Sequence, residues 1–283
     1  MKLIEYSDVN AFLERTRSFL ESDQALYGLA LGNAIRIAEG HRFGAEDPWF
    51  AVVEEGQWLR AIVLQTPPHA MMLVTAELEA ITLLIEGMRK SGRTIPGVVG
   101  PADTVPFVTG RWAHIHDLDQ EVRTHMHLFC ADKVIPPSAP PAGEMVKASP
   151  DDLTWLSEWT TGFVVDCHMP PNDPTLLEPA IAMVEQERLF LWKDATGPKA
   201  MAAFTRETPQ SYSVSWVYTP KEQRGKGYAS ALVAELTQHA LDSGKKFCSL
   251  FTDVANSTSN KIYADVGYRH YCDVQHVDFV AKG

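Results

Sequence analysis

Two glycines and two cations fall within six residues at Arg224-Gly225-Lys226-Gly227-Tyr228-Ala229. Such a stretch can hold an anion. Glycine lets backbone approach ligand oxygens closely, and the free N–H groups of a following helix turn attract negative charge. A phosphate-binding Walker loop needs G-x-x-x-x-G-K-[ST], but here the lysine lies between the two glycines. The dinucleotide fingerprint G-x-G-x-x-G is also incomplete, because position 230 is Ser and no strand-borne acid follows at the usual distance. The residues therefore specify an anion site of neither type.

The flanking elements must set this turn in place. Ser211 to Val217 is rich in aromatic and β-branched residues and reads as a strand. After the turn, Ala229, Leu232, Val233, Leu236 and Ala240 follow the i, i+3, i+4, i+7 spacing of an apolar helix stripe. Lys246 to Thr252 is a nearly continuous apolar run, as expected of a parallel strand covered on both faces. Then comes Asn256-Ser257-Thr258-Ser259-Asn260-Lys261-Ile262-Tyr263-Ala264-Asp265-Val266-Gly267-Tyr268.

Two signatures in order now coincide. Arg224-x-x-Gly227-x-Ala229 resembles the Q/R-x-x-G-x-G/A loop of the GNAT superfamily of N-acetyltransferases, and the stretch from Asn256 resembles that family's N-x-x-[AS]-x-x-[LI]-Y-x-x-x-G-[FY]. The resemblance covers residues from about 145 to 280. It implies an α/β (α+β) fold with a mixed, mostly antiparallel central sheet flanked by helices, and acetyl-CoA as cosubstrate. Val217, Tyr218 and Thr219 would face the coenzyme's arm, with the N–H of Val217 or a neighbour polarising the acetyl carbonyl. The amides of Gly225, Lys226, Gly227, Tyr228 and Ala229 would hold the pyrophosphate, with Arg224 and Lys226 adding charge. Asn256 would bond the pantetheine amide, although Asn also commonly caps a helix. Tyr263 aligns with the family's general acid. A phenol stays protonated at neutral pH and can donate to a departing thiolate, and its other reading is a core aromatic.

The base is missing. An amine must lose a proton before attack, and several family members place a Glu on the strand before the loop. Here that strand carries Ser211, Ser213 and Ser215. Asp166 and His168 lie in what reads as a substrate-side loop, where ordinary polarity is the alternative. His114/His116 and His125/His127 have i, i+2 spacing, which on a strand puts both rings on one face. Zinc needs three or four ligands, nothing nearby in the sequence supplies the rest, and no metal is expected.

The chain of 283 residues has room for two domains. Ser7 to Ala38 is helical in pattern, and strands around 49–53 and 58–64 flank Glu54-Glu55-Gly56-Gln57 as a hairpin. A break at Thr66-Pro67-Pro68, a strand at 70–74 and a helix at 76–90 stopped by Ser91-Gly92 follow. The second half repeats this order: a hairpin around Asp194-Ala195-Thr196-Gly197, a break at Pro209, strand, helix, and a stop at Ser243-Gly244. Between Pro209 and Gly244 the second copy is about ten residues longer than the first, and that interval contains the loop. The Pro-rich stretch 134–143 reads as a linker. These patterns indicate two GNAT-like domains: 1–138, degenerate and without the pyrophosphate loop, and 139–283, binding the coenzyme.

A net charge of −11 argues against nonspecific nucleic-acid binding. No apolar run reaches a membrane span and no signal peptide is evident. Cys130, Cys167, Cys248 and Cys272 form no CxxC pair, which indicates free thiols and a cytoplasmic location. The leading expectation is an N-acetyltransferase acting on a small-molecule or peptide amine. An acyl-CoA-binding regulatory module without turnover, or an acyltransferase with a different donor, remain the alternatives.

Overall fold

A computed structural model describes residues 1–167 and 177–283. The chain opens with β1 (Lys2–Tyr6), α1 (Val9–Ser22) and α2 (Gly28–Ala38), then β2 (Trp49–Glu55), β3 (Trp58–Gln65) and β4 (Met71–Ala76). There follow α3 (Leu78–Lys90), β5 (Gly97–Pro101), α4 (Val105–His116) and β6 (Leu118–Ala131). The second run is β7 (Glu144–Lys147), α5 (Leu153–Asp166), α6 (Leu177–Glu185), β8 (Leu189–Asp194), β9 (Gly197–Glu207) and β10 (Ser211–Tyr218). It closes with α7 (Tyr228–Asp242), β11 (Phe247–Asp253), α8 (Ser257–Val266) and β12 (Arg269–Ala281).

Two compact units form, and they are not consecutive stretches. The first takes Met1–Leu128, Asp253–Ala255 and Tyr271–Gly283; the second takes Phe129–Thr252 and Asn256–His270. The sequence division at 138/139 concerns repeated patterns, whereas these units are defined by contacts.

In the first unit the strand order is β1-β2-β3-β4-β5-β12-β6. β4 and β5 run parallel, Met71 beside Val98, and the neighbouring pairs along β1 to β4 are antiparallel. β12 enters antiparallel to β5, with Val274 opposite Pro101 and Asp278 opposite Gly97. The strands are apolar on both faces because helices cover both. One face packs Ala51, Val53 and Val63 against Ile81, Leu84 and Trp112 of α3 and α4, and the other packs Val52, Ile62 and Leu64 against Phe12, Leu20 and Leu31 of α1 and α2. The long helical pattern from Ser7 splits into two helices. Asp8 caps the first through the N–H of Ala11 at 3.0 Å, and Asp23 lies at its end with non-helical backbone.

The second unit orders its strands β11-β10-β9-β8-β7, antiparallel except for β10 and β11. One side of this sheet packs Phe190, Phe204, Leu232, Leu236 and Tyr263 together, and the other packs Leu156, Met183, Leu191 and Met201. Both predicted hairpins form, β2–β3 and β8–β9. Each unit is thus a mixed, mostly antiparallel sheet covered by helices.

Candidate functional site

In the second unit β10 is paired along one edge and partly released on the other. Its parallel pairing with β11 covers Ser211↔Phe247, Tyr212↔Cys248 and Ser213↔Ser249 and then stops. On the β9 side the register slips between Ser215↔Ala203 and Tyr218↔Met201, which makes a bulge at Trp216 and Val217. Trp216 has φ 56°. For a bulky L residue this left-handed backbone costs about 1–2 kcal/mol, and such strain collects at functional sites. Past Ser213 the strand therefore offers backbone N–H and C=O groups toward the side where β11 no longer pairs.

The turn after β10 carries the glycines and cations that the sequence reads as an anion site. Thr219 and Pro220 lead into a single 3-10 turn at Lys221–Gln223, and Gly227 is the N-cap of α7. Gly225 and Gly227 have φ 75° and 83°. A Cβ at Gly225 would meet nothing within 4 Å, and one at Gly227 only Pro141 Cδ at 3.7 Å. Backbone conformation, rather than crowding, calls for glycine there, and the space before the turn is open. No side chain caps α7, whose first intrahelical bond runs from the Ala231 N–H to the Gly227 carbonyl at 3.0 Å. The N–H groups of Tyr228, Ala229 and Ser230 thus have no acceptor among the described residues, and the positive end of the helix dipole lies with them.

The two loop cations are exposed, yet each bonds to neighbouring protein groups. Lys226 Nζ donates to the Glu222 carbonyl at 3.0 Å and to Gln223 Oε1 at 3.1 Å. Arg224 Nε donates to the Thr219 carbonyl at 2.9 Å, and its Nη2 pairs with the Asp166 carboxylate. Asp166 is not on a loop, as its neighbourhood in the sequence indicated; it is the last residue of α5. The apolar run before it, Phe163-Val164-Val165, continues the helix instead of ending it. His168 lies outside the described residues.

Helix α5 lies against the bulge through aromatic rings. Phe163 stacks on Trp216 with centroids 5.1 Å apart, and Trp159 stands 6.1 Å from Tyr218. The Tyr218 phenol reaches the helix where residue 162 is glycine. Sequence reasoning missed this wall. The i, i+4 spacing of Trp155, Trp159 and Phe163 was its one signal.

Asn256 caps α8, its Oδ1 accepting from the Ser259 N–H at 3.0 Å. This is the capping role the sequence left open, and it leaves the side-chain NH₂ for another partner. Tyr263 sits one turn before the helix end and is 8% exposed. Burial drives its phenol well above the ordinary range, and negative charge at the neighbouring Cys167 adds to this. The group therefore keeps its proton across the physiological range and suits a donor better than a base. Its ring also packs edge-on to Tyr268 at 6.0 Å, so it serves the core as well.

The two histidine pairs can also be placed. His114 and His116 lie on α4, not on a strand, so their rings point to roughly opposite sides of the helix. His125 and His127 do lie on a strand, β6. The four cysteines are free thiols, and no described helix is long and apolar enough to cross a membrane.

In the first unit the position corresponding to the loop is closed. Between β4 and α3 there is only Glu77. This residue is the N-cap of α3, and its carboxylate, making no cap bond, accepts from Arg60 at 2.9 Å.

The comparisons agree with this geometry. Residues 194–277 match the family model "FR47-like protein". No curated protein matches. Among solved structures the chain is similar to a GCN5-related N-acetyltransferase from Sphaerobacter thermophilus, at TM-score 0.64 and 17% identity, with 99% of this chain and 96% of that one covered. It is also similar to a GNAT-family acetyltransferase from Colwellia psychrerythraea, at TM-score 0.63 and 13% identity with both chains fully covered. A tandem GNAT protein from the clavulanic acid biosynthesis pathway gives TM-score 0.57 at 12% identity, again over the whole of both chains. The parted strands, the capless helix start and these likenesses together identify a protein of the GNAT acetyltransferase fold, with an FR47-like segment in its second half.

Proposed function

We propose that the chain is an acetyl-CoA-dependent N-acetyltransferase whose second unit carries the chemistry and whose first unit binds no coenzyme. The observation carrying this reading is the pairing of β10, lost toward β11 after Ser213, directly ahead of a helix whose first N–H groups are unpaired. The diphosphate of the coenzyme would rest on the amides of Gly225 to Ala229. Asn256 would offer its NH₂ to the pantetheine arm. The cosubstrate supplies an activated acetyl thioester.

Val217, or a neighbour in the bulge, would donate its N–H to the carbonyl oxygen as negative charge develops there. The acceptor nitrogen, having lost its proton, attacks the carbonyl carbon. The C–S bond breaks, and the phenol of Tyr263 protonates the departing thiolate, regaining its proton from water. Proton removal from the amine has no assigned side chain. β10 carries serines where an acid would serve, and Asp166 is committed to Arg224. That observation favours one rival, an acyl-CoA-binding module without turnover.

Steady-state thiol release from acetyl-CoA over a panel of primary amines separates the two. Amine-dependent release establishes transfer. Micromolar coenzyme binding with no release across the panel supports the binding module. Neither binding nor release removes both.

A further inference from the structure

Aromatic rings flank the residue that would polarise the acetyl carbonyl. Trp216 and Tyr218 stand on either side of Val217 in sequence and pack on the opposite face of the sheet from it. The two rings join the cluster that includes Leu156 and Phe163 of α5, whereas Val217 joins the cluster that includes α7. The α7 face is filled, with Leu232, Val233 and Leu236 fully covered. That leaves the α5 face for an acceptor approaching the carbonyl.

Five aromatic residues meet on this face. Phe163 lies on Trp216 with ring planes 17° apart, and Trp159 is 4.7 Å from Trp155 and 6.1 Å from Tyr218. All five keep part of their surface exposed. The tryptophans of the sheet cores differ. Trp49 and Trp192 are 3% and 2% exposed, and each gives its indole N–H to a fixed acceptor, the Glu5 carboxylate at 2.9 Å and the Ala142 carbonyl at 3.1 Å. The indole N–H groups of Trp155, Trp159 and Trp216 have no acceptor among the described residues. We propose that the acceptor is an arylalkylamine, and that Trp159, Phe163 and Trp216 hold its ring with its nitrogen toward the bulge. The inference rests on the acetyl-transfer reading and names the substrate class of that site. Aromatic side chains take a further ring in offset or edge contact at centroid distances of about 4.5–7 Å. Their faces also attract the positive charge that the amine carries before it loses a proton. A polyamine calls instead for carboxylates spaced along its length. Helix α5 carries two, of which Asp166 is committed to Arg224 and Glu158 is exposed.

The test titrates the intact chain, with and without coenzyme A, with tryptamine in a calorimeter, against spermidine and propylamine. Thiol release from acetyl-CoA is followed with the same three amines. Tryptamine should bind at least tenfold tighter than either control, and kcat/KM should follow the same order. Trp159→Leu and Phe163→Leu keep apolar bulk but remove a ring face. Each should raise the Kd and KM for tryptamine fivefold or more and leave coenzyme affinity as in the parent. Absent tryptamine binding overturns the proposal, as does equal or tighter binding of a control or unaltered tryptamine affinity in the double variant. Selective tryptamine binding without thiol release supports the aromatic site and removes the transfer reading; release with spermidine alone does the reverse. If the variants fold poorly, saturation-transfer NMR on the parent decides. The ring protons of tryptamine must receive more saturation than its side-chain protons, and the opposite order, or none, overturns the site.

Discussion

Gly227 and Tyr263 are the residues on which the coenzyme reading turns, and each can be tested alone. Gly227→Asp places an L side chain at φ 83° and a negative charge before the free amides. Coenzyme binding should be lost, and calorimetry finding micromolar affinity would refute the loop assignment. Tyr263→Phe removes a proton donor from a buried ring that otherwise keeps its packing. Turnover should fall about a hundredfold or more while coenzyme affinity stays within a few fold. An unchanged rate would leave Tyr263 as a core aromatic only. The positive-φ glycines and the helix position of Tyr263 were readable because both leave marks at fixed spacing. The N–H of Val217 leaves none, because every residue but proline carries one. The Arg224–Asp166 pair was hidden for another reason: a sequence gives no sign of which distant carboxylate a guanidinium will meet.

Among the elements, α5 packs against the β10 bulge of the proposed site, a placement that spacing did not give. Gly162 lets the Tyr218 ring lie on the helix. A Cβ there would stand 2.6 Å from Tyr218 Cζ and closer still to its hydroxyl oxygen. Gly162→Ala should therefore destabilise the protein by about 1–3 kcal/mol, read from denaturant midpoints, because the bulge must move. An unaltered midpoint would mean that the ring can swing away freely. The α5 terminus also competes for Arg224. Asp166→Ala frees that guanidinium, and coenzyme affinity by calorimetry should rise a few fold; a loss of affinity would show that the pair organises the loop. Both hairpins, and the succession of β10, α7 and β11, were legible because alternation and 3.6-residue periodicity are local. The helical run of Ser7 to Ala38 was readable in type but not in its break. For His114 and His116 the i, i+2 spacing misled, since a two-residue interval says nothing until the element is known.

For the whole molecule, the two units differ in the connection between a strand and the helix after it. Glu77 alone joins β4 to α3, whereas Thr219 to Gly227 joins β10 to α7. One coenzyme per chain is the expected calorimetric stoichiometry, and two would contradict a coenzyme-free first unit. Acid should act on the second unit through Asp152. Burial alone would raise this carboxyl, but hydrogen bonds from the Ser149 N–H and hydroxyl and from Lys193 outweigh it, so the folded-state pKa is depressed. A depressed carboxylate stabilises above its unfolded pKa and loses that contribution as pH falls through the folded value. Asp152→Asn should melt lower than the parent at pH 7, and the gap should narrow below about pH 4. A gap of constant size would assign the effect to packing.

The membership of Tyr271–Gly283 in the first unit also governs how this protein emerges from a ribosome. A nascent chain stopped after β6 has made every strand of that unit except the one that belongs between β5 and β6. That sheet must wait, with an open seam, until β12 has been synthesised. Residues 1–128 thus cannot complete their fold as they are made, and a premature stop near residue 268 should damage a unit synthesised long before it, visible as protease cleavage within residues 1–128.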